Sequence, residues 1–229
     1  MGRKVVSFSL YGNNPKYCLG IIENIENIYR LLKGWYIYIY YDNVPIKLIE
    51  FLGTFDMVKL IKCDIETDYE WVGMFWRFYQ FDDDTDIWLS RDADSRINER
   101  DVMFIKSWLN TNYACHIIRD DKYQSCVIMG GMFGINNKEF KKYKRHSIKE
   151  WIEIYKNKYS ANMVRSVDQK FLRREIYPSI SHNNLTHIGC DEVRMNKNDI
   201  LILPNENDEL CGQQDKIKDE TYLKYSKLL

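Results

Sequence analysis

Ile87-Trp88-Leu89-Ser90-Arg91-Asp92-Ala93-Asp94-Ser95-Arg96 is the stretch on which the fold turns. Its first four residues are an apolar run of the length that fills a buried strand, bounded upstream by the acidic turn Asp82-Asp83-Asp84-Thr85-Asp86. Two carboxylates follow where the strand emerges. Residues i and i+2 of extended backbone point the same way, so Asp92 and Asp94 can face one hard cation. Mg²⁺ and Mn²⁺ favour oxygen ligands shared between protein carboxylates and substrate phosphates. In open parallel α/β sheets ligands gather outside the carboxyl ends of the strands, so the spacing suits a metal bridging a nucleotide diphosphate. The plainer alternative is a solvated helix-capping turn, with Asp94 or Ser95 as N-cap.

Working outward, Val5 to Leu10 is β-prone and breaks at Gly12-Asn13-Asn14-Pro15. Tyr17, Ile21, Ile25, Ile28 and Leu31-Leu32 then recur at helical spacing up to Gly34. Trp35 to Tyr41 reads as a second strand, Val44-Pro45 opens a helix through Leu48 and Phe51, and Met57 to Ile61 reads as a third strand. Trp71, Phe75, Trp76, Phe78 and Tyr79 would wrap a short helix before the acidic turn. Beyond Arg96 the pattern predicts helices over 99–109, 148–155 and 167–176, and strands over 114–118, 127–135 and 200–203. Strands alternating with helices imply an α/β fold with a parallel sheet covered on both faces.

With 229 residues and no repeat or low-complexity linker, the chain reads as one domain over residues 1–211 and a polar tail over 212–229. In that tail Ile217, Leu223, Leu228 and Leu229 lie among charges, as a docking helix or a packed terminus would. Lys and Arg number 33, as do Asp and Glu, so the net charge is zero and the basic excess of a nucleic-acid binder is missing. The basic run Lys138 to His146 reads as a solvated loop in that context. The 6 Cys include no C-x-x-C pair, which leaves them as reduced thiols of a reducing compartment and not as zinc or redox ligands. No run approaches 18 apolar residues, and the first ten are too mixed for a signal-peptide core. The expectation is a cytoplasmic protein with no integral membrane segment.

Five segments occur in a telling order: Ser9-Leu10-Tyr11-Gly12-Asn13-Asn14-Pro15-Lys16-Tyr17, Met74-Phe75-Trp76-Arg77-Phe78, Ser90-Arg91-Asp92-Ala93-Asp94-Ser95-Arg96, His116-Ile117-Ile118-Arg119-Asp120 and Gly130-Gly131-Met132-Phe133-Gly134. In that order, from about residue 5 to about 190, the chain resembles a group of small GT-A glycosyltransferases that includes the capsid-glycosylating enzymes of large DNA viruses and bacterial relatives. The resemblance implies a Rossmann-like, mixed and mostly parallel sheet flanked by helices. It further implies transfer of a sugar from a nucleoside diphosphate sugar, UDP more than GDP, to a glycan or glycoprotein acceptor.

On that resemblance Asp92 and Asp94 hold Mn²⁺ or Mg²⁺ against the donor diphosphate, with His187 as a third ligand from the C-terminal segment and His182 as a weaker substitute. Ser9, Tyr11, Gly12 and Asn13 face the nucleoside, with Tyr11 against the base. Arg77 and Arg91 are donor-site cations, since a guanidinium offers paired donors to phosphate. Gly130 and Gly131 let backbone approach the donor sugar. Val167-Asp168-Gln169-Lys170 is similar to the D-Q segment of glycogenin-like enzymes, which makes Asp168 and Gln169 donor-sugar or catalytic candidates. Where the family tends to carry His-Pro-x-His after Arg119-Asp120, this chain has Asp121-Lys122-Tyr123-Gln124, so the sugar preference of relatives does not transfer. Asp120 stays a candidate general base or sugar ligand.

Two other readings compete. Asp92-Ala93-Asp94-Ser95 also resembles the nucleophile motif of haloacid-dehalogenase-type phosphatases, in which Asp92 would attack and Mg²⁺ sit beside it. That motif usually opens its fold on the first strand, and no later G-D-x-x-x-D segment is present. An EF-hand loop fails, because Arg96 and Ile97 stand where an oxygen ligand and a glycine are needed. A non-catalytic sugar-binding module on the same fold is the third reading.

Overall fold

The computed structural model describes residues 2–64, 70–124, 126–159, 166–190, 199–204, 209–214 and 216–229. β1 (Lys4–Tyr11), β2 (Tyr36–Asp42), β3 (Val58–Lys62) and β4 (Ile87–Ser90) alternate with α1 (Pro15–Leu31), α2 (Ile46–Leu52) and a 3₁₀ helix (Glu70–Phe81). After α3 (Glu99–Leu109) come β5 (Cys115–Arg119), β6 (Phe133–Asn136), α4 (Asn137–Phe140), α5 (Ile148–Tyr159) and α6 (Val167–Phe171). A π-helical turn (Leu172–Ile176) leads into α7 (Tyr177–Ile180), β7 (Asn184–Ile188), β8 (Asp199–Leu201) and α8 (Asp219–Tyr225).

The strands form one eight-stranded sheet in the order β3-β2-β1-β4-β6-β5-β7-β8. All neighbours are parallel except β6, which runs antiparallel to both β4 and β5. The mixed, mostly parallel sheet expected from the resemblance is therefore present. The strand expected over 127–135 is confined to Phe133–Asn136, because Gly130 and Gly131 form a turn before it. The helix expected over 71–81 winds as 3₁₀, and the one expected over 167–176 changes to π geometry at Leu172.

Strand periodicity divides the core in two. In β1 and β2, Val6, Phe8, Leu10, Ile37 and Ile39 point to the face covered by α1, α2 and α3. Tyr38 and Tyr40 point to the other face, where Trp71, Phe75, Trp76, Phe78 and Phe81 of the 3₁₀ helix pack with Trp151 and Tyr155 of α5 and Phe171 of α6. The C-terminal residues belong to the first face: Ile217, Tyr225 and Leu228 pack on it, with the Tyr225 ring 5.1 Å from that of Phe51. Of the tail's apolar residues Ile217 and Leu228 thus pack on the core, whereas Leu223 is exposed. Ser7 and Ser9 interrupt the apolar side of β1 so that the 3₁₀ helix can dock closely. The Ser7 hydroxyl donates to the Arg77 carbonyl (2.8 Å), and the Ser9 hydroxyl accepts from the Arg77 N–H (3.0 Å).

Candidate active site

β4 ends at Ser90, paired with Ser7 of β1, and the Arg91 N–H continues that ladder by donating to the Ser7 carbonyl. The chain then leaves the sheet, and Asp92 and Asp94 emerge beside the C-terminal half of β1. A cleft of about 370 Å³ opens there, lined by Ser9, Tyr11, Tyr17, Met74, Arg77, Asp92, Ala93, Asp94, Ser166, Asp168, Gln169 and Gln214. Seven of the sequence-predicted residues therefore meet: Ser9, Tyr11, Arg77, Asp92, Asp94, Asp168 and Gln169.

Arg77 is the hub. One guanidinium nitrogen pairs with Asp92 and the other with Asp168 at 2.7 Å, so a single cation ties the strand-end carboxylate to the first turn of α6. Burial works against the Arg77 charge, but the two carboxylates more than restore it and raise its pKa. Asp168 shows the opposite balance. Its burial outweighs the pull of Arg77 and, with the charge of Asp92 nearby, lifts its carboxyl above the ordinary value. Tyr11 packs edge-on against Trp76 (5.8 Å), and burial raises its phenol. Asp94 is almost fully buried and pairs with Lys16 at 2.7 Å. Ser166 precedes α6 with a left-handed backbone (φ 64°), a strained conformation of the kind that clusters at functional sites.

The two glycines are required by space. A Cβ on Gly131 would lie 2.0 Å from Asp92 Oδ2, and one on Gly130 would lie 2.2 Å from Asp168 Oδ2. Gly131→Ala is therefore expected to displace Asp92 and cut turnover about 10²-fold, the cost of an ångström of misplacement. Circular dichroism should stay that of the parent; a variant with parental kcat would show that this approach is irrelevant.

Five expected site residues lie outside this cleft or serve another end. Arg91 is buried, and its guanidinium donates to both oxygens of Asp101 (2.8 and 3.2 Å) and to the carbonyls of Ser90 and Phe133, so it braces the strand end and does not line the cleft. Asp120 is buried against Arg100, which grips it through Nε and Nη2, and it accepts the Cys211 N–H at 2.8 Å. A carboxylate so committed has no free face for a substrate hydroxyl. His187 lies on β7, with β6 and β5 between it and β4, and is fully buried. Its Nδ1 sits 2.9 Å from His116 Nε2, and its ring stacks on Phe104, so it is a core residue and not the third ligand. Gly12, at φ 75°, and Asn13 make the turn after β1 and do not line the cleft.

Tyr17, Met74, Ser166 and Gln214 are lining residues that sequence reasoning missed. Gln214 arrives by an isolated bridge to Ser95, a long-range pairing with no local signature. The donor set suits a hard divalent cation: two carboxylates two residues apart border one cleft, and the adjoining turn is glycine where a Cβ would strike Asp92. Asp168 also borders the cleft, but among the described residues no three His, Cys, Asp or Glu side chains are placed to hold one metal ion, so the other ligands of such a cation would be water and donor oxygens. The motif also follows the fourth strand and not the first, against the phosphatase arrangement. All six cysteines are free thiols, and among the described residues no helix is long and apolar enough to cross a membrane.

No family model and no curated protein matches the sequence. Among solved structures, the chain is similar to the glycosyltransferase GlyE of Streptococcus pneumoniae TIGR4, at 17% identity and TM-score 0.51 over 80% of this chain and 45% of that one. It is also similar to the galactosyltransferase LgtC, solved in complex with donor and acceptor sugar analogues, at 12% identity and TM-score 0.54 over 80% of this chain and 73% of that one. The chain thus spans less than half of the pneumococcal protein. Sheet order, strand directions and these likenesses together give the chain the Rossmann-like GT-A fold of glycosyltransferases.

Proposed function

We propose that the protein is a metal-dependent glycosyltransferase that moves a hexose or deoxyhexose from a nucleoside diphosphate sugar, UDP before GDP, to a glycan or glycoprotein acceptor. The observation that carries this reading is the convergence of Asp92, Asp94, Asp168 and Arg77 around one cleft at the carboxyl ends of β1 and β4. Asp92 and Asp94 would hold Mn²⁺ or Mg²⁺, which when bound offsets the charge of the leaving diphosphate. Ser9 and Tyr11 form the nucleoside side. Arg77 holds Asp92 and Asp168 at fixed positions, which spares the site reorganisation as charge develops. Asp168 and Gln169 border the sugar side, where an anionic carboxylate can orient a hydroxyl or face positive charge at the anomeric carbon. The Gly130-Gly131 turn keeps that side clear of side chains.

The reading is tested by thermal unfolding with UDP, GDP and CMP, each with and without Mn²⁺, because a ligand of the native state raises stability in proportion to RT ln(1 + [L]/Kd). A shift that requires both nucleotide and metal is expected. Asp94→Asn should abolish that shift and lower turnover about 10³-fold, as loss of a group that stabilises developing charge does. Stabilisation by Mg²⁺ with a phosphate mimic but by no nucleotide would put the phosphatase first. No response at all would put the binding module first.

A further inference from the structure

Lys16 is the second residue of α1, held at the helix start by Asn14, whose side chain caps the Lys16 N–H at 3.0 Å. Its ammonium bonds to two groups that line the cleft, Asp94 Oδ2 at 2.7 Å and Gln214 Oε1 at 2.9 Å. The two partners differ in exposure. The Asp94 side chain is 6% exposed, whereas that of Lys16 is 36% exposed and can swing out into solvent. Asp92 already has Arg77 as a partner, so each carboxylate of the pair carries its own side-chain cation. A buried carboxylate without a counter-charge is costly, and Lys16 removes that cost for Asp94.

We propose that Lys16 is the resident counter-ion of Asp94 and sets the affinity of the carboxylate pair for a divalent cation, which gains Asp94 only when the ammonium leaves. The proposal rests on the metal-dependent reading above. Arg77 is fixed by two carboxylates and its side chain is only 7% exposed, whereas Lys16 is tied to α1 by a flexible stem and gives way at low cost. Once released, its ammonium lies at the rim of the same cleft, where the donor's diphosphate would take over its charge. Metal and nucleotide then support one another through Lys16, and the site resists metal when no donor is present. A site whose competent form is one molecule in ten binds about tenfold more weakly.

The test is Mn²⁺ binding by electron paramagnetic resonance on the intact, nucleotide-free protein, with Lys16→Met, Lys16→Arg and Asp94→Asn. Lys16→Met is expected to bind Mn²⁺ about tenfold more tightly than the parent, consistent with removal of a competing form. Lys16→Arg, which keeps a cation on Asp94, should bind no more tightly than the parent. UDP should tighten Mn²⁺ binding more in the parent than in Lys16→Met. Equal nucleotide-free affinities for the parent and Lys16→Met, with Asp94→Asn weaker than both, would overturn the role of Lys16 and leave the metal site standing. Absence of Mn²⁺ binding in every protein, with UDP or without, would overturn the metal-dependent reading and this proposal with it.

Discussion

Replacing Arg77 with Met is expected to be the most damaging single change in the cleft. Turnover, followed as nucleotide release, should fall by at least about 10³-fold, because the geometry of Asp92 and the charge balance of Asp168 are lost together. Stability should fall by about 3–5 kcal/mol at pH 7, the usual cost of leaving a buried charge without its partner. The pH dependence tells this apart from a simple packing defect. Asp168 already has a raised pKa from burial, and without Arg77 it must rise further. A carboxyl whose pKa is higher in the fold than in the unfolded chain favours the fold only at low pH, and that support is lost as pH rises through the folded value. The penalty of Arg77→Met should therefore shrink as pH falls from 7 toward 5. Urea midpoints at the two pH values decide it, and a penalty that does not change with pH would mean that Asp168 is not left charged and alone.

Acid should also find a second weak point far from the cleft. His116 and His187 are buried side by side, stacked on Trp108 and Phe104, and their outward nitrogens, His116 Nδ1 and His187 Nε2, have no hydrogen-bond partner among the described residues. Burial pushes His187 from its usual 6.5 down to about 4, and burial with the nearby charges of His187 and Arg91 takes His116 well below its usual value. Both rings are neutral in the fold, while the unfolded chain takes up protons below about 6.5. Their contribution is complete above that pH and declines as pH falls toward 4. The His187 shift alone corresponds to roughly 3 kcal/mol at full effect. The double variant His116→Leu/His187→Phe should lose this part of the acid limb while keeping carboxylate titration. Parallel stability curves for parent and variant between pH 7 and 4.5 would refute the assignment.

The elements that were plain in the sequence are those whose pattern is local. β4 fills the apolar run of 87–90 and α3 the expected 99–109, although its cap is Asn98, whose Oδ1 accepts the Asp101 N–H at 2.9 Å, and not Asp94 or Ser95. β7 gave no signal: Asn184, Thr186 and His187 are polar yet buried, satisfied inside the fold or held by stacking, so the segment lacks the alternation of a strand. The reversed direction of β6 is likewise invisible, since apolar spacing carries no orientation. At the site, Asp92 and Asp94 were legible because their spacing and the strand before them suffice to place them. Asp168 and Arg77 were singled out only through the family resemblance, each in its own role, and their ion pair is set by the fold. Arg91 and Asp120 were misassigned because their true partners, Asp101 and Arg100, are set by folding and not by motif. An arginine beside a carboxylate motif looks the same in sequence whether it faces a phosphate or braces a strand.

The reversal of β6 has a bearing on how this site can diversify. Because β6 runs against its neighbours, the segment from Arg119 to Phe133 leaves the sheet and re-enters it at the same edge as the cleft, with both ends pinned, Ile117 paired to Phe133 and Ser90 paired to Phe133. Between those anchors residues can be inserted without shifting the register of any strand as long as Asp120, Gln124 and the Gly130-Gly131 turn keep their contacts, and doubling a loop costs only about 0.6 kcal/mol in closure entropy. The loop that carries the glycine turn can therefore be lengthened at low entropic cost. New substrate preferences can be grafted there while β1, β4 and their carboxylates stay as they are.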